Sequence, residues 1–533
     1  MSRTCRYTLI AVFILASLLV LHVRTLVPPD EGRYAEMARE MFFSGDWITT
    51  RLNGIKYFEK PPLHTWMSAL SFAAFGVGEW QARLWNGVCG IAGVLLVGYT
   101  GSRVFSRTAG LYAAAILASM VFWSAGSQFN TLDIGVAATM CISLCALLLA
   151  QRDDAAPAQR RNWMLACWAG MALSLLAKGL IGLALPGAVL VLYALLSGDR
   201  AIARRLHPWT GGALFLAIAL PWFLLVAARN PEQPQFFFIH EHWDRFFLKT
   251  HHREGPWYYF LVLLAPATMP WLPLLPAGLI AARRRVQGQF QPRMLLLIWV
   301  LFILFFFSYS SSKLPGYMLP VFPALALLAG LCLEQASTRL ACAPPMLLAA
   351  AGAAGMATVP ASPLDGRLLM AACGVAVVGG LAGWLMVRQG RRAAMVLVVA
   401  AGAWAMTQFA MASYEPLGRR QAGLDLALEV RPELAADTPV YSVGAYEQSL
   451  TFYLGHTVIP VAYTDELGFG LTREPERGIA SLSAFSQLWR RAAANGSPQF
   501  AIIRADLYET LRADGLPMRV RARNERVVLV SSR

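Results

Sequence analysis

Three stretches of this 533-residue chain combine acids, cations and aromatics at spacings that suit work on an anionic substrate. The first reads Pro28-Pro29-Asp30-Glu31-Gly32-Arg33-Tyr34, and soon after it comes Lys56-Tyr57-Phe58-Glu59-Lys60-Pro61-Pro62. Asp30 could serve as an acid at a reacting centre, or it could cap a helix, which is worth about 1 kcal/mol. Lys60 stands just before an expected helix, where a cation opposes the helix dipole. That conflict points to a carboxylate or phosphate nearby, although a solvated loop lysine explains it equally well. Asp133 and Lys178 stand among apolar residues in the second stretch, where ionisable groups are costly and tend to line a cavity or pathway. Capping for Asp133 and snorkelling for Lys178 are the plainer alternatives. The third stretch is Ser312-Lys313-Leu314-Pro315-Gly316-Tyr317. Here Lys313 and Tyr317 could reach a phosphate or sugar, or could belong to a tight interfacial turn.

The elements that must position these groups are largely apolar. The chain is 57% hydrophobic and 14% charged, against about 25% charged in an average soluble protein. Apolar runs close to the ~20 residues needed to cross a bilayer recur throughout. Candidate spans are 7–27, 82–103, 108–125, 131–150, 162–179, 181–197, 209–228, 257–281, 294–310, 317–334, 341–360, 366–387 and 393–412, about thirteen in all. The run 162–197 is nearly continuous and also suits a hairpin. The run 7–27 is too long for a cleaved leader and has no small-residue cleavage site, so it reads as a retained helix.

Arginines such as Arg103, Arg107, Arg160, Arg161, Arg204, Arg205, Arg283, Arg284, Arg391 and Arg392 fall on one set of loops, which marks that face as cytoplasmic. The net charge of +15 is therefore spread over short loops, and no basic domain for nucleic acid is present. The eight cysteines lie in or beside apolar runs and read as small membrane hydrophobes.

Three longer polar segments fall on the outer face: 28–81, 229–256 and 415–533. The first should carry two amphipathic helices, one with Tyr34, Met37, Met41 and Phe42 on its apolar side and Glu36, Arg39 and Glu40 mostly elsewhere. The second runs from Pro61 to about Phe75. The segment 229–256 holds Phe236-Phe237-Phe238-Ile239-His240-Glu241-His242-Trp243-Asp244-Arg245 and suggests an interfacial lid. His240 with Glu59 offers a divalent metal two ligands, few for a protein site, and His251-His252 read as surface residues. The last segment alternates β-like runs (439–444, 457–463, 499–504, 527–530) with helix-like ones (446–454, 483–493), which implies a small α/β domain. Residues 1–414 then form a transmembrane catalytic domain and 415–533 an outer α/β domain.

Acids, cations and amphipathic helices on one face suit an enzyme that takes one substrate from lipid and another from the interface. The motifs quoted above resemble those of the GT-C lipid-carrier glycosyltransferases, and closely those of the lipid A aminoarabinose transferase family. The resemblance implies a GT-C fold of thirteen helices with a periplasmic C-terminal α/β domain in a bacterial inner membrane. It implies transfer of 4-amino-4-deoxy-L-arabinose from undecaprenyl phosphate to a lipid A phosphate, with inversion. It further implies that Asp30 is the essential acid and Asp133 a second acid. Lys60, Lys178 and Arg245 would surround the donor phosphate, and Tyr57 and Tyr317 would line the pocket, with Arg33, Tyr34 and Lys313 also contacting substrate. Glu59 and His240 would match a pair that holds a divalent metal such as zinc in a relative; no other cofactor is expected. Protein mannosyltransferases share the first acidic motif, so a hexose, a hexosamine or a protein acceptor stays open. A transporter would be expected to show repeated halves and paired broken helices, and neither is visible. A structural scaffold would not need so many charges at the outer helix ends.

Overall fold

A computed structural model describes residues 3–199, 202–244, 255–435 and 437–532. The chain forms two compact units, one of Met1–Leu21 with Leu84–Ser413 and one of His22–Arg83 with Tyr414–Arg533.

The first unit is helical. Among the described residues, eight helices are long and apolar enough to cross a membrane, and a bent pair brings the number to nine. The eight are Glu79–Val104, Leu132–Ala150, Pro208–Arg229, Pro292–Tyr309, Pro315–Gln335, Thr338–Ala361, Gly366–Arg388 and Arg392–Ala412. The other runs of the thirteen are helical but irregular. The run 7–27 is helical only to His22. Beyond it, Arg24 and the carbonyls of residues 24 and 25 are committed to ion pairs and hydrogen bonds that a spanning helix would forbid. The run 108–125 divides at Met120, whose backbone is extended between the helices Arg107–Ser119 and Val121–Gly126. The expected single span 257–281 is instead a pair, Tyr259–Ala267 and Leu272–Ala282, bent by 119°. Pro266, Pro270, Pro273 and Pro276 fall on or near the bend, each without a backbone N–H to continue a helix. The run 162–197 is a hairpin of Pro157–Lys178 and Ile181–Ser197 that turns at Gly179 with φ +91°. Gly182 permits its close packing, since a Cβ there would lie 2.3 Å from the Ser174 carbonyl carbon.

The second unit joins the first polar segment to the C-terminal one. The sequence groups 28–81 with the spans, but by packing this segment belongs with 414–533. The helix Asp30–Ser44 lies against the helix Gln448–Leu454 so closely that a Cβ on Gly32 would sit 2.5 Å from the Ser449 backbone. A short hairpin of β1 (Arg51–Leu52) and β2 (Ile55–Lys56) leads to the helix Leu63–Phe75.

Five strands complete the C-terminal segment: β3 (Val440–Val443), β4 (Ile459–Val461), β5 (Phe500–Arg504), β6 (Arg519–Arg523) and β7 (Val527–Ser531). Their order is β4-β3-β5-β7-β6, with β3 parallel to both β4 and β5 and the β5/β7 and β6/β7 pairs antiparallel. Val443, Val461, Ile503, Val528, Phe485 and Trp489 pack in its core. Strand β6, Arg-Val-Arg-Ala-Arg, is not among the strands expected from the sequence. It is one of the two edge strands, and its arginines serve the charge that exposed edges need rather than a buried face.

The helix Asp30–Ser44 also departs from the amphipathic expectation. Glu31 and Glu36 are buried, with Arg39 paired to Glu36, so its charges are largely inside the unit rather than on a solvated face.

Candidate active site

In the second unit each residue of Asp30-Glu31-Gly32-Arg33-Tyr34 has a distinct task. The helix begins at Asp30 itself, with Pro29 as its cap, so Asp30 does not cap it and its carboxylate is exposed. Arg33, one turn on, donates from Nη1 to Asp30 Oδ1 at 2.7 Å, and its Nη2 lies 2.7 Å from Glu466 Oε2. Glu31 is buried and clamped. Arg83 reaches it through Nε at 2.7 Å and Nη2 at 2.9 Å, and Arg24 Nη1 donates to it at 2.7 Å. Arg83 also donates to the carbonyls of Arg24 and Thr25. This network fixes the chain just before Asp30. Gly32 allows the close approach to Ser449, and Tyr34 packs edge-on against His64.

Tyr57 is buried in the same unit, and burial followed by the nearby Glu59 charge keeps its phenol well above the usual range, so it stays a proton donor. Lys60 donates to the Glu59 carbonyl at 2.8 Å and lies 3.9 Å from its carboxylate. Burial pushes the Glu466 carboxyl above its ordinary value, against the pull of Arg33 and of Gln448, which donates to it.

The first unit carries a separate cluster. Asp133 lies in the first turn of Leu132–Ala150 and Lys178 ends Pro157–Lys178. Neither plainer alternative holds: Thr131 is the cap residue, and Lys178 forms an ion pair with Asp133. Lys178 Nζ also stands 4.8 Å from the centre of the Tyr317 ring, within cation–π range. Val136, Ile181, Leu185 and Phe307 give this small pocket apolar walls. Gly316 makes room for the acid, because a Cβ there would lie 2.1 Å from Asp133 Oδ2. Lys313 is buried and donates to the carbonyls of Ser308 and Ser310 at 2.9 and 2.7 Å. It thus closes the C-terminal end of the helix Pro292–Tyr309, where a cation is favoured, as the tight-turn alternative expects.

The structure therefore gathers Asp30, Arg33, Tyr34, Tyr57, Glu59 and Lys60 in one unit and Asp133, Lys178 and Tyr317 in the other. Arg245 and the pair His251-His252 lie outside the described residues, as does the side chain of His240. Among the described residues no group of three or more His, Cys, Asp or Glu could hold a metal ion. Glu59 has Lys60 beside it, and its expected partner His240 lies beyond what the described side chains show.

Residues 426–532 match the family model of the aminoarabinose transferase C-terminal domain, and residues 59–224 match that of the dolichyl-phosphate-mannose-protein mannosyltransferases. The whole chain also superposes on the crystal structure of ArnT from Cupriavidus metallidurans bound to undecaprenyl phosphate. That match has a TM-score of 0.94 and 39% identity, covering 100% of this chain and 99% of the other. The chain belongs to the ArnT family. It has the GT-C fold and is a multi-pass membrane protein. An undecaprenyl phosphate-α-4-amino-4-deoxy-L-arabinose arabinosyl transferase of Pseudomonas aeruginosa is 36% identical over 343 residues, 62% of this chain and 60% of the relative. A namesake from Sodalis glossinidius is 34% identical over 59% of this chain and 56% of its own length. The chain thus spans somewhat less than two thirds of the curated relatives it matches.

Sequence reading missed the groups that hold the acid in place. Arg24 and Arg83 did leave a signal, each a charge inside a run taken as a span, where it must have a partner. Glu466 left none, because its partner Arg33 is brought to it only by the fold.

Proposed function

We propose that this protein transfers 4-amino-4-deoxy-L-arabinose from undecaprenyl phosphate to a phosphate of lipid A. The reaction takes place at the periplasmic face of a bacterial inner membrane. The observation that carries this reading is the full-length likeness to ArnT, with Asp30, Asp133 and Lys178 all set in defined charge clusters. The lysine and arginine asymmetry of the loops supports the orientation.

An oxygen of the lipid A phosphate attacks the anomeric carbon as the bond to the carrier phosphate oxygen breaks. The acceptor is already anionic and needs no base. Charge builds on the departing undecaprenyl phosphate, and Lys178 and Lys60 stabilise it electrostatically, with Arg245 as a further cation. Asp133 directs Lys178 through their ion pair, and the Tyr317 ring limits where the ammonium can go. Asp30, with one carboxylate oxygen on Arg33, orients the acceptor or offsets positive charge at the sugar. Direct displacement inverts the anomeric centre; a product anomer matching the donor's would rule it out. Glu59, with His240, is proposed as the place a divalent metal such as zinc would occupy. Zinc bound one-to-one in the purified protein and lost in Glu59→Ala would support that part, and metal-free active wild type would overturn it.

The test is mass spectrometry of lipid A from cells lacking this activity and expressing wild type or Asp30→Asn. An added aminopentose with wild type alone is expected. The match of residues 59–224 to protein mannosyltransferases supports a second reading, transfer of a hexose to protein. Unmodified lipid A beside altered glycoproteins would establish that one instead.

A further inference from the structure

We propose that Glu466, from the C-terminal segment, is a positioning residue that keeps part of the Asp30 carboxylate available to substrate by holding Arg33 away from it. The inference rests on Asp30 being the acid of the proposed reaction. An arginine beside a lone carboxylate tends to place two parallel N–H groups on its two oxygens. Arg33 does otherwise. Nη1 donates to Asp30 Oδ1 at 2.7 Å while Nη2 lies 2.7 Å from Glu466 Oε2, so the guanidinium is divided between two acids. Among the described residues Asp30 Oδ2 carries no hydrogen bond, and the Asp30 side chain is 53% exposed. Arg33 and Glu466, at 14% and 10%, are much less so.

Glu466 is itself fixed. Gln448 donates to its Oε1 from the start of the helix that seats Gly32 on Ser449. The same short helix thus sets the height of the Asp30–Ser44 helix and the aim of Glu466. With Glu466 neutral, Arg33 turns fully onto Asp30 and cancels the charge that the acid offers to substrate. This gives the C-terminal segment a part in the chemistry and not only in folding.

Purified wild type, Glu466→Gln, Glu466→Asp, Arg33→Ala and the double variant Arg33→Ala/Glu466→Gln are assayed with the aminopentosyl undecaprenyl phosphate donor and lipid A. Glu466→Gln should lower kcat by about 10- to 100-fold, the scale of a misplaced catalytic group, with donor KM nearly unchanged. Glu466→Asp should recover part of the loss, and the double variant should be no worse than Arg33→Ala. Wild-type kcat in Glu466→Gln, or losses that multiply in the double variant, would overturn the proposal. If Glu466→Gln does not fold, Gln448→Leu should show the same kcat loss to a smaller degree, and no loss there overturns it too. Inactive wild type would count against the proposed function alone. The pairing is then read from the thermal unfolding of the same four variants, where zero coupling between Arg33 and Glu466 sinks it.

Discussion

Among the described residues Lys178 has one carboxylate and one ring for company, whereas Arg33 sits in a chain of charges that runs from Asp30 to Glu466 and Gln448, and Glu31, Arg83 and Arg24 form a second, buried chain in the same unit. The surroundings account for the difference. Around Lys178 the walls are apolar, the local dielectric is low, and a single pair is enough to hold a charge in place. Asp30 is open to water, where isolated ion pairs are worth little and are lost to side-chain entropy. A carboxylate there stays where it is needed only if its backbone and its partner are both fixed, and the two chains of charge do that. The membrane unit gains precision from its environment, and the second unit gains it from redundancy.

The largest effect should come from removing the buried support. Arg83 is fully buried and makes contacts with Glu31 and with two backbone carbonyls at once. Arg83→Leu removes two of the hydrogen bonds on the buried Glu31 carboxylate, whose other described donors include Arg24 and the Val27 backbone N–H, and breaking a buried pair in this way costs about 3–5 kcal/mol. Thermal unfolding should show a large loss of stability before any assay of activity. A protein as stable as wild type would mean that the second unit does not depend on this network.

Lys178→Ala should behave in the opposite way. Its partner Asp133 is 21% exposed and can be rehydrated, so unfolding should shift little. Transfer should fall by about 100-fold, the scale of losing one electrostatic stabiliser at a reacting centre. Lys178→Arg should restore only part of it, because a guanidinium spreads over several nitrogens the charge that the ammonium holds at one point. If Lys178→Ala unfolds as readily as Arg83→Leu, the contrast between the two clusters fails.

The same contrast explains what could be read without the fold. Asp133, Lys178 and the turn before Tyr317 stood out because charge is rare in apolar runs, so each was legible by type and position alone. Asp30 was legible as a motif, but the reason for Glu31, Gly32 and Arg33 around it was not. Their partners Arg83, Ser449 and Glu466 come from other parts of the chain. Lys313 shows the limit of such legibility: its type and position suit a substrate contact and a tight turn equally, and only the fold shows its ammonium bonded to the carbonyls that end a helix. The proline-rich run 257–281 passed the length test for a span, since hydropathy does not register a bend.

Redundancy has a cost, and Glu40 allows it to be measured. Glu36 and Glu40 lie one turn apart on the Asp30–Ser44 helix, and Arg39 gives two of its nitrogens to Glu36. Glu40 accepts from the Gly54 backbone N–H at 2.7 Å, while among the described residues its other oxygen is buried without a hydrogen bond in that geometry. Burial, and then the Glu36 charge, push the Glu40 carboxyl from its ordinary 4.5 up to about 8. A raised pKa means that the folded protein holds a proton that the unfolded chain releases between these values. The contribution of Glu40 to stability is therefore complete below pH 4.5 and is lost as pH rises through about 8. Glu40→Gln keeps an oxygen for the Gly54 N–H and removes the titration. At pH 5 its thermal unfolding should be close to wild type, whereas at pH 8.5 the variant should unfold roughly 10 °C higher, the response expected of about 4 kcal/mol in a unit of this size. A difference that is the same at both pH values would mean that Glu40 is ionised throughout, and that the second unit accommodates its crowded acids without strain.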